Sequence, residues 1–188
     1  MQTASGLPWR DRLQDERAGN GDALLLAARE LLRPPVFQPR QPHQAQDLCD
    51  ATGYLANAGI IPTFVGPGDL VLLDELCHAC LFAGAKLSGA ETLAFRHNDV
   101  DDLIHRLAAH RPSAARILVA TDGVFSMDGD LAPLDVMAPL AQRHDAWLMT
   151  DDAHGLGVLS DGRGSARADV PLQMGTLSKA IGSYGGYL

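Results

Sequence analysis

The 188-residue sequence predicts an α/β protein, a three-layer αβα arrangement around a mainly parallel sheet. Three observations carry that expectation. Compact apolar runs at residues 70–73, 92–95, 117–120 and 146–149 are bounded by turn or polar residues and read as strands. Segments of helical periodicity stand between them, the pattern of βαβ units. Two of the runs lead straight into polar, glycine-containing stretches, 121–130 and 150–157. Ligands of open α/β sheets bind at that kind of edge, where parallel strands deliver their carboxyl ends and the helix amino termini that follow.

Taken in order, the elements begin with an amphipathic helix over 22–33, capped by Asp22 and stopped by Pro34, Pro35, Pro39 and Pro42, which alternate with glutamines. That proline segment is expected to be extended, so residues 1–46 read as a helix plus linker and the folded body as 47–188. Between the second and third strands, Asn98 caps a helix over 98–110. Asp101 and Asp102 suit its positive first turn, and Val100, Leu103, Ile104 and Leu107 form one apolar face. A crossover helix over 134–143 joins the last two strands, with Pro139 expected to kink or shorten it.

Composition excludes several classes. At 46% apolar and 20% charged residues the chain is an ordinary globular sequence. A net charge of -8 argues against nucleic-acid binding, which needs basic side chains to neutralise phosphates. The apolar stretch 23–32 is broken by Arg29 and Glu30, too short and polar to cross a bilayer or to serve as a signal peptide. Three cysteines, Cys49, Cys77 and Cys80, fit a reducing compartment, the cytoplasm by default.

The chemistry centres on Lys179, set among small and hydroxyl residues at 175–180. Crowding by uncharged neighbours can desolvate a lysine so that its amine attacks an aldehyde. A solvated surface lysine is the competing reading of that hexapeptide. Asp151 and His154 follow the last strand; an Asp three residues before a His suits half a metal site, an acid–base pair, a brace, or a capped turn. Together with Lys179 they supply what pyridoxal phosphate needs: a lysine, a carboxylate for the ring nitrogen, and hydroxyls or amides for the phosphate. Cys77 and Cys80 form a CxxC without a second pair to complete a zinc site. His78 between them offers a flat ring at the same sheet edge, or a histidine packed at a helix start. A metal-dependent hydrolase using Asp151, Asp152 and His154 ranks behind these readings.

Several motifs in order resemble the α-oxoamine synthases: Thr52-Gly53-Tyr54-Leu55-Ala56-Asn57, residues 74–78, Phe95-Arg96-His97-Asn98-Asp99, residues 122–133 and 151–157, Gly162-Arg163-Gly164, and residues 175–186. These are fold-type I pyridoxal-phosphate enzymes that join an amino acid to an acyl thioester with loss of carbon dioxide. The resemblance implies the partial large domain of such an enzyme, with Lys179 bonding the cofactor and then acting as base. It implies that Asp151 pairs with the pyridinium, His154 donates to the ring hydroxyl and His78 stacks on the ring. Ser126 would lie near that ring, with Thr176 and the Gly53 and Tyr54 amides on the phosphate. Members are homodimers. The family's glycine-rich loop and histidine-containing helix are not found in residues 1–46, and the chain ends nine residues after Lys179, so it is expected to be a fragment lacking the small domain. Its activity is expected to be impaired. A non-catalytic remnant without cofactor is the alternative.

Overall fold

The computed structural model describes the backbone of residues 42–167, 170–183 and 185–188, and the side chains of those from 53 onward except 166 and 167. The helix expected over 22–33 lies outside these residues. The four expected strands form as β1 (Leu70–Asp74), β2 (Glu91–Phe95), β3 (Ile117–Asp122) and β4 (Trp147–Asp151), joined by β5 (Leu172–Thr176) and β6 (Gly186–Tyr187). Their order in the sheet is β2-β1-β3-β4-β5-β6. The first five run parallel, and β6 pairs antiparallel with β5.

Helices α1 (Pro42–Phe64), α2 (Ala79–Ser88), α3 (Val100–His110) and α4 (Leu134–Arg143) cover both faces. Side chains alternate across a strand, so a run apolar at every position must be buried on both sides. In β1, Leu70 and Leu72 pack with Leu103 and Leu107 of α3 and Met137 and Leu140 of α4. Their neighbours Val71 and Leu73 pack with Ile60 and Ile61 of α1 and Leu81 and Ala85 of α2. Strands β3 and β4 divide in the same way, which makes three layers. Edge strand β2 exposes Glu91, Thr92 and Ala94 instead.

Three local expectations change. Residues 42–46, expected to be extended, are the first turn of α1; a proline at a helix start forfeits no intrahelical bond. The cap of α3 is Asp99, whose side chain accepts from the Asp102 amide at 2.8 Å. Asn98 takes a left-handed conformation (φ 54) and gives its own amide to Asp74 at 2.8 Å. Pro139 sits inside α4 without shortening it.

Helices α1 and α2 meet closely at Gly84, where a Cβ would stand 2.7 Å from the Asn57 carbonyl oxygen and 3.3 Å from the Ala58 Cα. Backbone atoms cannot give way as a flexible side-chain end can. Gly84→Ala is therefore expected to lower stability by about 1–3 kcal/mol through overpacking. The urea midpoint should fall at constant m-value; an unchanged midpoint would mean that α2 separates from α1 at no cost.

Candidate active site

Strands β1, β3 and β4 end on aspartates, Asp74, Asp122 and Asp151, at one edge of the sheet. Asp122 and Asp151 are register partners on adjacent strands. Each lies two positions beyond a residue of the core shared with α1 and α2, Ala120 and Met149, so both carboxylates turn toward that helical layer. A cavity of about 640 Å³ opens there. The eight residues that the resemblance assigns to a cofactor site all line it. Helix α1 contributes Gly53 and Tyr54, the start of α2 His78, the segment after β3 Ser126, β4 and its following turn Asp151 and His154, and β5 and its exit Thr176 and Lys179.

Asp151 is held on both oxygens. Oδ1 accepts from the Ala153 amide at 2.8 Å and Oδ2 from the Asn57 side-chain amide at 2.6 Å. Asn57, fully buried on α1, also donates to Cys80 Sγ at 3.1 Å. The sulfur lies 2.8 Å from His78 Nδ1. Burial, partly offset by the Asn57 bond, pushes the Cys80 thiol up to about 11, and its single hydrogen faces two acceptors, His78 Nδ1 and, at 3.9 Å, Asp151 Oδ2. His78 also caps α2, accepting from the Cys80 amide, so the helix-start reading and the cavity-wall position coexist. With Nδ1 occupied as an acceptor, a neutral ring carries its hydrogen on Nε2.

Among the described residues Asp122 has a single weak donor, the His78 amide at 3.3 Å. Burial, then the neighbouring Asp151 charge, raises it to about 7. Lys179 Nζ lies 2.9 Å from His154 Nε2. Burial and the Lys179 charge hold His154 below the usual imidazole range, so its Nε2 accepts. Two expectations are not met. Lys179 and Ala180 are exposed, because the chain leaves the sheet after buried Thr176, and small neighbours therefore do not bury the amine. Gly53 and Tyr54 sit in the interior of unbroken α1, where amides point back to carbonyls of the preceding turn and are not free donors. Hydroxyls of Thr176 and Ser178, 2.7 Å apart, are the polar groups of that wall.

Residues 14–188 match the family described as Aminotransferase class I and II. The chain belongs to that family. It is 63% identical over 141 residues to an 8-amino-7-oxononanoate synthase of Methylocella silvestris and 60% identical over 138 residues to that of Granulibacter bethesdensis. Each alignment takes in 73% of this chain, and the chain spans 40% and 36% of those relatives. A solved serine palmitoyltransferase from S. paucimobilis, described with bound PLP and myriocin, superposes with a TM-score of 0.67 at 38% identity over 76% of this chain and 40% of that one.

In this member of the aminotransferase class I and II family, Asn57, Cys80 and Asp122 are site residues that sequence reasoning passed over. Both Asn57 and Asp122 stood in motifs that carry the resemblance, 52–57 and 122–133, but neither was given a role there. Asp152 does not join the cavity. It accepts from the Ser165 amide at 2.8 Å and the Ser165 hydroxyl at 2.5 Å, which separates it from Asp151 and His154. Among the described residues no three acidic, histidine or cysteine side chains gather as a metal site. Cys77 and Cys80 are free thiols, and Cys77 Sγ turns to the Ala120 carbonyl at 3.6 Å.

Asp122 gives the fold a pH signature. Its ordinary value of 3.8 rises to about 7 on folding, so the folded state binds this proton more tightly. The associated stability is full below about pH 4 and is lost as pH rises through about 7. Asp122→Asn is expected to flatten that decline in urea midpoints measured between pH 4 and 7. An identical slope in the variant would show that Asp122 does not hold the proton.

Proposed function

We propose that the cavity binds pyridoxal 5'-phosphate and that the chain carries the cofactor-binding part of a fold-type I C-acyltransferase of the α-oxoamine synthase type. The observation that supports this reading best is the gathering of Lys179, Asp151, His154 and His78 around one cavity at the carboxyl edge of a parallel sheet. The donor set fits the group: a primary amine, a buried carboxylate held by two N–H donors, two imidazoles and paired hydroxyls. When bound, pyridoxal phosphate supplies an electron-accepting ring that stabilises negative charge at the α-carbon of an amino acid.

The chain's residues divide the remaining work. Asp151, its oxygens fixed by Asn57 and Ala153, presents negative charge to a protonated ring nitrogen. Lys179 would hold the cofactor through its amine, and its Nζ would serve as the proton acceptor. His154, kept neutral, orients that Nζ through Nε2, and its other nitrogen would donate to the ring hydroxyl. The ring of His78, which lies against Cys80 Sγ and lines the cavity, would stack on the cofactor. Ser126 would stand beside the ring, and the hydroxyls of Thr176 and Ser178 would hold the phosphate as uncharged donors.

The 60–63% identity to 8-amino-7-oxononanoate synthases favours their reaction, a decarboxylating condensation of an amino acid with an acyl thioester in biotin biosynthesis. Serine palmitoyltransferase chemistry is the second reading, favoured by the structural match at 38% identity. No helix among the described residues is long and apolar enough to cross a membrane. Cytoplasmic location and homodimer formation belong to the same proposal.

Titration of the purified chain with pyridoxal phosphate should produce a visible absorbance band, absent in Lys179→Ala. Borohydride reduction and peptide mapping should find the adduct on Lys179. A colourless protein, or an adduct on another residue, would count for a remnant that holds no cofactor.

A further inference from the structure

We propose that Asn57 is a positioning residue that assigns the negative charge of the site's carboxylate pair to Asp151 and not to Asp122. Two carboxylates side by side in a low-dielectric site do not both ionise readily; the better-solvated one takes the charge. Asp151 and Asp122 are such a pair, adjacent in register, 6% and 5% exposed, and both on the cavity wall. Their difference lies in their donors. Asp151 accepts two N–H bonds, the shorter from Asn57 at 2.6 Å. Asp122 accepts one, at 3.3 Å, from the His78 backbone. A short bond to a charged acceptor is about twice as strong as a neutral one and favours the ionised form.

Asn57 is built for donation. It is fully buried, both of its described side-chain contacts are donated bonds, and its Oδ1 has no partner. Its place on α1 is set by the close approach of Gly84, and the second bond, to Cys80, fixes the amide plane. The charge of Lys179 pulls the other way, toward Asp122, but ranks below burial and the Asp151 charge among the influences on that group.

The inference rests on the cofactor reading, because a ligand with a protonated ring nitrogen distinguishes which carboxylate is charged. The test compares binding of pyridoxal phosphate with that of its 1-deaza analogue, which has carbon in place of the ring nitrogen. Both are titrated by absorbance into the full chain, into Asn57→Leu, which keeps the volume without the donor, and into Asn57→Ala, which removes the donor without added branching. The preference of the wild-type chain for pyridoxal phosphate should shrink about tenfold in these variants, the equilibrium factor of one charged hydrogen bond. It should return when Asp122→Asn is added, since that removes the competing acid. Equal loss for both ligands would make Asn57 merely structural and overturn the inference while leaving the cofactor reading intact. Equal affinity of the wild-type chain for the two ligands would overturn it too, as would failure of both variants to fold. Binding of neither ligand to the wild-type chain would instead remove the cofactor reading on which it rests.

Discussion

Three strands that end on buried aspartates at one sheet edge set the terms for the rest of this molecule. An ionised carboxylate taken from water costs several kcal/mol unless bonded, and the parallel register brings Asp74, Asp122 and Asp151 to the same edge. The chain treats each differently. Asp74 accepts from the amides of Leu76 and Asn98 and lies 2.9 Å from His97 Nδ1. Among the described residues Asp151 has two N–H donors and a distant thiol, and Asp122 one long N–H donor. The least supported group is thus the one pushed to about 7, so the site's electrostatics follow from unequal hydrogen bonding of chemically identical side chains.

A fourth aspartate shows why a glycine pattern need not mean a phosphate cradle. Asp152 is fully buried, and a Cβ on Gly123, Gly155 or Gly164 would stand 2.5, 2.6 or 2.7 Å from one of its carboxylate oxygens. These glycines come from three separate segments. They are needed because the Asp152 carboxylate occupies the space that their side chains would fill, while Ser165 satisfies Oδ2. The Thr150 hydroxyl completes the brace at 2.6 Å from that of Ser165. Packing holds the 155–165 loop against β4, and Asp151 on the opposite face is left to the cavity.

Much of this was legible in the sequence, and the limits have physical causes. Strands β1, β3 and β4 are apolar at consecutive positions because both faces are covered, which no exposed segment imitates. Strand β5 was missed: Gln173 and Gly175 interrupt a run that lacks β-branched residues. Helix α1 was not read from sequence, because four prolines at 34–42 argue for extension, although a proline at a helix start is compatible with a helix. The eight residues named for the site share one cavity, but their setting there was not legible in the local motifs. Asn57 reads as an ordinary helical polar residue; only the missing Cβ of Gly84, on a different helix, brings α2 close enough to bury it. Exposure of Lys179 was equally hidden, since it depends on where the chain leaves β5.

The segment bearing Ser126 shows how far such support extends from the cavity. It turns back on itself through the Phe125 amide to the Asp130 carbonyl at 3.0 Å and the Gly129 amide to the Phe125 carbonyl at 2.8 Å. Asp130 is pinned in turn by His97 Nε2 at 2.6 Å and Asn98 Nδ2 at 2.9 Å. Burial disfavours a charged His97, but its bonds to Asp74 and Asp130 outweigh that and raise its proton affinity. With a carboxylate on each nitrogen, the imidazole is satisfied as a double donor, and Phe125 packs edge-on against it at 4.4 Å. The strand-ending aspartate of β1 therefore acts on the Ser126 loop at one remove: it holds His97 and Asn98, and these two side chains bond Asp130.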